Sequence, residues 1–323
     1  MTNLQHAYGY EFDRWIARRL ESPDVVHALP GCGLKLRRAA KRQFGALTVC
    51  DSGTSHERWQ ADLLQDEARR WGIDTARDAS THLEYVESEY EEADLITAPS
   101  AFARKSFLEM GISPSKVAVT AYGADLEDYH PTKKRDNRFR ILFVGSICVR
   151  KGVPYLLSAV SKLNFPDAEF CVRGAAVPGQ ESLLSLYRGS IPLKLIEPQP
   201  RKAMRDLFSQ ASVLVLPSIE DGFGLVIGQA MACGLPVIAS RNSGGPELID
   251  DGVNGFLIDA RDDRTLADRL TDLYENPDRR HQIGAAARHT IERLHGWSAY
   301  ADAVIDAYTS ARGSLLSPTA RTA

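Results

Sequence analysis

Two hydrophobic patterns alternate along most of this sequence. Short apolar runs of strand length are separated by longer stretches in which apolar residues recur every three or four positions, as on one face of a helix. Before residue 130, strand-like runs lie at residues 24–28, 46–50, 94–98 and 117–121, and helical patterns such as 34–44 and 57–71 lie between them. This alternation predicts a parallel sheet with helices on both faces.

The chain opens on a helical pattern and not on a strand. Its apolar positions fall on one face of a helix and its arginines largely on the other. The apolar face comprises Phe12, Trp15, Ile16 and Leu20, and the opposite face comprises Arg14, Arg18 and Arg19. We therefore expect an amphipathic first helix ahead of the first strand.

The segment 131–138 interrupts both patterns. It is rich in charged and turn-forming residues, and we take it as a linker between two domains. Beyond it, strand-like runs recur at 139–144, 169–172, 213–216 and 237–239, with helical patterns at 154–163, 201–210, 225–233, 262–275, 279–294 and 298–308. The sequence thus predicts two α/β domains, at 1–130 and 139–296, then a C-terminal helix within 297–311 and a disordered tail at 312–323.

Composition narrows the class of protein without identifying it. A net charge of -3 over 323 residues, with 44% hydrophobic and 25% charged residues, is ordinary for a globular protein and gives no global attraction to nucleic acid. The five cysteines are scattered, which favours reduced thiols over a disulfide framework or a CxxC metal site. Because we find neither a signal pattern nor a membrane-spanning apolar run, we expect a cytoplasmic location, with the inner face of the membrane as an alternative.

The most informative stretch is 218–247, S-I-E-D-G-F-G-L-V-I-G-Q-A-M-A-C-G-L-P-V-I-A-S-R-N-S-G-G-P-E. An acidic pair, Glu220 and Asp221, follows a strand, and Gly222 and Gly224 let the chain turn tightly into a helix. Unpaired backbone N–H groups and the positive end of a helix dipole bind anions, so this turn would suit a diphosphate. The structural alternative is that the glycines only permit the turn.

A second glycine turn lies at V-G-S-I-C-V-R-K-G, residues 144–152. It ends a strand and places Arg150 and Lys151 just before the next helix. A lysine in this position can offer a point charge to a phosphate group. Taken alone the pattern is weak, because basic residues near a strand end are usually solvated.

These two motifs, followed by S-G-G-P-E-L-I-D-D-G-V-N-G-F-L-I, resemble the retaining GT-B enzymes of glycosyltransferase family 4. The resemblance extends into the first domain through A-D-L-I-T-A-P-S-A-F-A-R and V-A-V-T-A-Y-G-A-D-L-E-D-Y-H-P, and it includes the closing W-S-A-Y. It implies two Rossmann-like parallel-sheet domains that face each other across a cleft. Compared with that family, the N-terminal domain is expected to be incomplete, as though about two first strands were missing.

The resemblance also implies which residues bind the nucleotide-sugar donor. Lys151 matches the lysine that holds the diphosphate, and Asp221 and Gln229 stand where the family has two glutamates that contact the sugar and the ribose. Glu220 is the alternative to Asp221 if the loop is shifted by one residue. The candidate catalytic residues are Lys151, Asp221 and Glu220; the candidate donor-binding residues are Gly145, Ser146, Arg150, Lys151, Gly222, Phe223, Gly224, Leu225, Gln229 and Glu247. Many relatives carry an arginine at the position of Ser146, and Arg150 is the candidate substitute.

Candidates on the acceptor side come from the first domain. In the family, a histidine after a core strand often lines the acceptor pocket, and the matching region here offers His27, Cys50, Asp51 and His56. The structural alternative is a hydrogen-bonding histidine at a strand end. The basic side chains Lys35, Arg38 and Arg42 raise two further alternatives, contact with an anionic lipid surface and a solvated basic face.

The functional hypothesis is transfer of a hexose from a UDP- or GDP-linked sugar to a saccharide or lipid-linked acceptor, with retention of anomeric configuration. The chain contains no Asp-x-Asp, so we expect no metal and no cofactor beyond the nucleotide sugar as co-substrate. The rival from another class is a non-catalytic nucleotide-sugar-binding or truncated glycosyltransferase-like protein. A nicotinamide-dependent oxidoreductase is disfavoured because no G-x-G-x-x-G follows a strand.

Overall fold

The computed structural model describes residues 3–73, 80–197, 200–294 and 296–316. It divides into two compact units. The first comprises Met1–Leu63, Ala76–Ala121 and Tyr300–Ala323, and the second comprises Leu64–Thr75 and Tyr122–Ala299. Each unit contains one sheet in which every paired strand is parallel, so the predicted α/β class with two parallel sheets is confirmed. Within the described ranges, no helix is both long and apolar enough to cross a membrane.

The first unit is built on a four-stranded sheet in the order β1-β2-β3-β4. Its strands are β1 (Val25–Ala28), β2 (Leu47–Asp51), β3 (Leu95–Ala98) and β4 (Val117–Val119). The helices are α1 (Asn3–Ile16), α2 (Leu34–Phe44), α3 (Glu57–Arg70), α4 (Ser80–Glu92) and α5 (Ala101–Glu109), although the second half of α3, from Leu64, belongs to the second unit. Side chains from β2, β3, α4 and α5 form the main core cluster, which includes Cys50, Val86, Ile96 and Phe107.

The orientation predicted for the first helix is only partly right. Ile16 and Leu20 do pack against a core cluster, but Phe12 and Trp15 are 52% and 50% exposed. Asp13 is buried instead, because its carboxylate accepts hydrogen bonds from two backbone N–H groups in the first turn of α2, each at 2.8 Å. Unpaired N–H groups at a helix start attract a carboxylate, and this contact fixes the rotation of α1.

The second unit is built on a six-stranded sheet in the order β10-β9-β8-β5-β6-β7. Its strands are β5 (Phe139–Val144), β6 (Ala168–Arg173), β7 (Leu193–Ile196), β8 (Val213–Leu216), β9 (Val237–Ser240) and β10 (Phe256–Ile258). Its helices are α6 (Val153–Ser161), α7 (Arg201–Gln210), α8 (Val226–Ala232), α9 (Gly245–Leu248), α10 (Asp263–Glu275) and α11 (Pro277–Arg293). The two strands that the sequence analysis did not predict, β7 and β10, are the short strands at the sheet edges.

The strand order reverses between β5 and β8. From β5 the chain proceeds outward through β6 to β7, and from β8 it proceeds in the other direction through β9 to β10. In open parallel sheets, ligands bind outside the carboxyl ends of the strands at such a switch point. The loops at this position are 145–152, after β5, and 217–225, after β8.

The last helix, α12 (Gly296–Leu316), is longer than predicted. Residues 312–316 were expected to begin a disordered tail, but they continue the helix. Ala311 packs against the core of the first unit, and Arg312 forms an ion pair with Asp24 at 3.1 Å, so both contacts favour the helical end. The rest of the predicted tail, 317–323, lies outside the described residues.

Candidate active site

The loops after β5 and β8 meet through two adjacent ion pairs. Lys151 Nζ donates a hydrogen bond to Asp221 Oδ2 at 2.5 Å, and the two side chains are 15% and 10% exposed. One residue earlier in each loop, an Arg150 Nη atom donates to Glu220 Oε2 at 2.6 Å. The structure therefore pairs Lys151 with Asp221 and not with Glu220, whose side chain is fully buried.

Arg150 serves the local structure twice. Its carbonyl oxygen accepts hydrogen bonds from the backbone N–H groups of Ile219 at 2.9 Å and Glu220 at 3.3 Å. Burial opposes the charge on its guanidinium, but the Glu220 and Asp221 carboxylates outweigh that effect and raise the pKa of Arg150. One Nη atom of Arg150 is bonded to Glu220 and its side chain is 34% exposed, so its predicted role in place of an arginine at Ser146 stays a prediction.

Two glycines are required for these loops to come together. At Gly152, with a φ of 67°, an added Cβ would lie 1.9 Å from the carbonyl oxygen of Pro217. At Gly224, with a φ of 79°, an added Cβ would lie 2.7 Å from Leu216 and 3.3 Å from Asp221 Oδ2. Both positions have a left-handed backbone, which favours glycine; the backbone contact at Gly152 leaves no room for a side chain, whereas at Gly224 the Leu216 side chain would have to shift. The two glycines let the loops approach closely enough for Lys151 and Asp221 to be in contact.

A third loop, after β9, supports the loop after β8 through Asn242, a residue that was not among the candidates predicted from the sequence. The Asn242 carbonyl accepts from Asp221 N at 3.0 Å, and its side-chain amide donates to the Ile219 carbonyl at 2.9 Å. Gly244 N then donates to the Phe223 carbonyl at 2.8 Å. An asparagine inside the S-R-N-S-G-G turn was the available signal, since asparagine often bonds neighbouring backbone in turns.

The remaining donor candidates lie around these loops with differing exposure. Gly145 has a φ of 155°, and a Cβ added there would lie 4.0 Å from Lys151 Cγ. Phe223 is buried and packs edge-to-face on Tyr122. Gly222 is buried beside it, Ser146 and Leu225 are exposed, and Gln229 on α8 and Glu247 on α9 are half-buried.

In the first unit, two of the four acceptor-side candidates come together. His27 Nε2 lies 3.2 Å from Asp51 Oδ2, at the carboxyl ends of β1 and β2, and Tyr308 OH lies 2.5 Å from His27 Nδ1. Asp51 also accepts from Thr97 Oγ1 at 2.6 Å. Burial raises the pKa of the Asp51 carboxyl, but the hydrogen bonds from His27 and Thr97 outweigh this and lower its pKa below the ordinary value.

Cys50 and His56 do not join this group. Cys50 is fully buried in the main core cluster, and burial raises the pKa of its thiol to about 12. The His56 ring packs tilted against Tyr90 and edge-on against Phe107, and burial lowers the pKa of its imidazole to about 4. Both side chains are therefore neutral near pH 7 and belong to the core. The physical reason for Cys50 is the alternation of a strand, which turns it away from the face that carries Asp51.

The basic helix α2 is less basic on its surface than its sequence indicates. Arg38 is paired with Glu92 at 2.5 Å, and Lys41 with Asp94 at 2.5 Å. Of the ion pairs in the described part of the chain, none involves Lys35 or Arg42.

Described side chains also provide no group of three or more His, Cys, Asp or Glu residues that could hold a metal ion.

The sequence model of the family described as "Glycosyl transferases group 1" matches residues 126–290, which is just over half of the 323 residues. The chain belongs to this family. The matched range contains both loops at the switch point, with Lys151 and Asp221.

Curated relatives in this family are recognisably similar. The chain is 32% identical over 223 residues to the D-inositol 3-phosphate glycosyltransferase of Thermobifida fusca, covering 62% of this chain and 51% of that protein. It is 30% identical over 253 residues to the protein of the same name from Thermomonospora curvata, covering 69% and 58%. The match thus spans little more than half the length of these relatives.

Solved structures confirm the fold class. Sucrose-phosphate synthase from Thermosynechococcus elongatus aligns with a TM-score of 0.75 at 21% identity, covering 95% of this chain and 78% of that one. Anabaena HepE in complex with UDP aligns with a TM-score of 0.72 at 19% identity, covering 92% and 82%. Such neighbours support the predicted GT-B-like architecture of two α/β domains.

Proposed function

We propose that this protein transfers a hexose from a nucleoside diphosphate sugar to a saccharide or lipid-linked acceptor, as a member of glycosyltransferase family 4. The observation that carries the proposal is Lys151, a lysine held at the switch point of the second unit's sheet by the loop after β5. Its ammonium group has three donors, and Asp221 is its one hydrogen-bond partner among the described residues. A diphosphate would accept hydrogen bonds from this same ammonium group.

The relatives support a nucleotide-sugar donor. One structural neighbour was solved with UDP and another time with UDP-glucose. The family match covers the second unit's switch-point loops, so we assign donor binding to that unit. Gln229 is half-buried on α8, the helix that follows the turn at Gly222 and Gly224, and its amide can hydrogen-bond a ribose hydroxyl.

We propose that transfer proceeds with retention and without a metal ion. Departure of the nucleoside diphosphate leaves negative charge on the phosphate oxygens beside an oxocarbenium-like sugar. A fixed ammonium stabilises such charge as it develops, and Lys151 is positioned to do so. The acceptor hydroxyl would attack the face that the diphosphate leaves and pass its proton to a phosphate oxygen. Detection of an inverted product anomer would refute this mechanism.

Acceptor binding is assigned to the first unit. His27 and Asp51 lie at the carboxyl ends of adjacent parallel strands, which is where ligands bind in such sheets. If the acceptor is lipid-linked, Lys35 and Arg42 are the basic residues available to an anionic surface, because Arg38 is already paired with Glu92. The names of the curated relatives add a polyol phosphate to the acceptors worth testing.

The experiment is a donor and acceptor screen with product mass spectrometry. UDP- and GDP-hexoses are incubated with saccharide, lipid-linked and inositol 3-phosphate acceptors, and free nucleoside diphosphate is measured in parallel. We expect acceptor-dependent release with at least one pair and a product heavier by one hexose. Thermal stabilisation by nucleotide sugars with no release from any donor would favour the rival hypothesis, a non-catalytic binding protein.

A further inference from the structure

The charged side chains of the two switch-point loops are paired with one another. Lys151 and Asp221 form one pair at 2.5 Å, and Arg150 and Glu220 form the other at 2.6 Å. The two cations and two carboxylates cancel. A site that awaits a strongly anionic diphosphate therefore presents little net positive charge while it is empty, and the carboxylate nearest to the diphosphate-binding lysine is Asp221.

The two carboxylates differ in how firmly they are held. The Glu220 side chain is fully buried, and its backbone N–H is tied to the carbonyl of Arg150 at 3.3 Å. Asp221 has a fixed backbone, since its N–H donates to the Asn242 carbonyl, but its side chain keeps 10% exposure and Lys151 is that side chain's one hydrogen-bond partner in the described structure. Only the Asp221 carboxylate can leave its cation without breaking the buried structure of the loops.

From this geometry we propose that Asp221 is the resident counter-ion of Lys151 and that a diphosphate must displace it. The inference rests on the donor-binding role proposed above for Lys151. A phosphate oxygen and the Asp221 carboxylate compete for the same ammonium, and they repel each other if both remain close to it. Binding a nucleoside diphosphate therefore includes the loss of the Lys151–Asp221 pair.

Displacement has a different consequence for substrate and for product. When a nucleotide sugar binds, the freed carboxylate can accept a hydrogen bond from a sugar hydroxyl, which offsets the lost ion pair. A bare nucleoside diphosphate provides no such hydroxyl, and Asp221 returns to compete for Lys151. Asp221 thus acts as a specificity-determining residue that favours the donor over the leaving group and promotes release of the product.

The test compares affinities for UDP and GDP with those for the matching UDP- and GDP-hexoses by calorimetry. In D221N, the bare nucleotide that binds the wild type should bind about tenfold more tightly, because the competing charge is gone. The affinity for the nucleotide sugar should rise less or fall, so the preference for donor over product collapses. Steady-state assays should show stronger product inhibition in D221N. If D221N does not fold, D221S makes the same comparison.

Two controls isolate the charge competition. E220Q removes a neighbouring carboxylate without freeing Lys151, and it should not tighten nucleotide binding as D221N does. In the K151A background, adding D221N should change nucleotide affinity by less than about twofold, because the contested cation is absent. Equal gains from E220Q, or an undiminished gain in K151A, would mean that only net charge matters and would overturn the proposal.

The remaining outcomes separate this inference from the proposed function. If the wild type transfers sugar but D221N binds the bare nucleotide equally or more weakly, the counter-ion role is wrong and the function stands. If the wild type neither binds UDP and GDP nor releases them from any donor, the proposed function fails and the inference fails with it.

Discussion

Each unit contains an ion pair with little exposure. We expect one pair to stabilise the fold and the other to bind a ligand. In the first unit, Arg37 and Glu89 lie 2.9 Å apart and are 1% and 0% exposed. In the second, Lys151 and Asp221 lie 2.5 Å apart and are 15% and 10% exposed. Burial alone would rank the first pair as the stronger functional candidate, because perturbed and buried charges are often found at active sites.

Saturation of hydrogen bonds separates the two pairs. Arg37 also donates to the carbonyls of Val49 at 3.2 Å and Ala28 at 2.7 Å. Glu89 also accepts from the backbone N–H groups of Gly31 and Gly33. The Arg37–Glu89 pair makes four hydrogen bonds to the backbone besides its own, whereas Lys151 and Asp221 have one hydrogen bond between their side chains and no other side-chain hydrogen bond in the described structure. A buried ion pair that makes many hydrogen bonds within the protein stabilises the fold. An ion pair at a switch point that makes few other hydrogen bonds can bind a ligand.

The largest expected effect tests the structural side of this comparison. E89Q leaves the Arg37 guanidinium buried without its counter-charge, and breaking a buried pair in this way costs about 3–5 kcal/mol of unfolding free energy. Urea denaturation measures it. The matched control is E92Q, which removes the carboxylate from the exposed Arg38–Glu92 pair and should cost less than about 1 kcal/mol. Equal losses in the two variants would contradict the distinction.

The second effect tests the functional side. K151A should lower kcat for sugar transfer by about 100- to 1000-fold, because a fixed charge aimed at the leaving group is removed. Urea denaturation is run in parallel, because the variant also leaves the Asp221 carboxylate without its counter-charge. K162A is the matched control, since Lys162 also pairs with an aspartate, Asp263, at 2.6 Å but lies on the exposed face of the same unit. Full turnover by K151A would refute the assignment of the site.

How much of this could be read from the sequence depends on how local the signal is. The boundaries of Leu34–Phe44, Phe139–Val144 and Val213–Leu216 were predicted to the residue, because turn residues and a clear period bound each segment. The motifs also singled out Lys151 and Asp221, which the structure brings into contact. The catalytic roles of these residues stay predictions.

Long-range pairing was beyond the sequence. Arg37 lies in the basic stretch of α2, and nothing near it in the chain shows that it will be buried against Glu89, 52 residues away. The edge strand β7 was missed because half of it is exposed and its pattern is weak. For Cys50 and Asp51, the choice between core and sheet end depends on the register of β2, which only the pairing with its neighbours fixes.

A third, smaller expected effect concerns a buried titratable side chain, His56. His56 is buried among aromatic rings, and burial lowers the pKa of its imidazole to about 4. In the unfolded chain this imidazole has its ordinary pKa of 6.5 and binds a proton below that pH. In the folded chain it stays neutral until the pH approaches 4. This stability is present above pH 6.5 and is lost as the pH falls toward 4, by about 2 kcal/mol between pH 7 and pH 5.

The measurement is a pair of denaturation curves at pH 7 and pH 5 for the wild type and H56F. Phenylalanine keeps an aromatic ring against Tyr90 and Phe107 but cannot titrate. The loss of stability on acidification should be smaller in H56F by the amount assigned to His56. Parallel losses in the two proteins would show that other groups, and not this buried imidazole, cause the acid sensitivity.

The smallest expected effect is on the stability of D221N. If Lys151–Asp221 were a structural pair like Arg37–Glu89, neutralising one partner would destabilise the protein by several kcal/mol. Because the Lys151 side chain keeps 15% exposure and can be partly solvated, we expect a smaller loss of unfolding free energy than in E89Q, about 1–2 kcal/mol. Urea denaturation beside E89Q gives a direct contrast. A loss in D221N as large as that in E89Q would place the two pairs in one class, and affinities measured on that variant would then report on a disturbed loop.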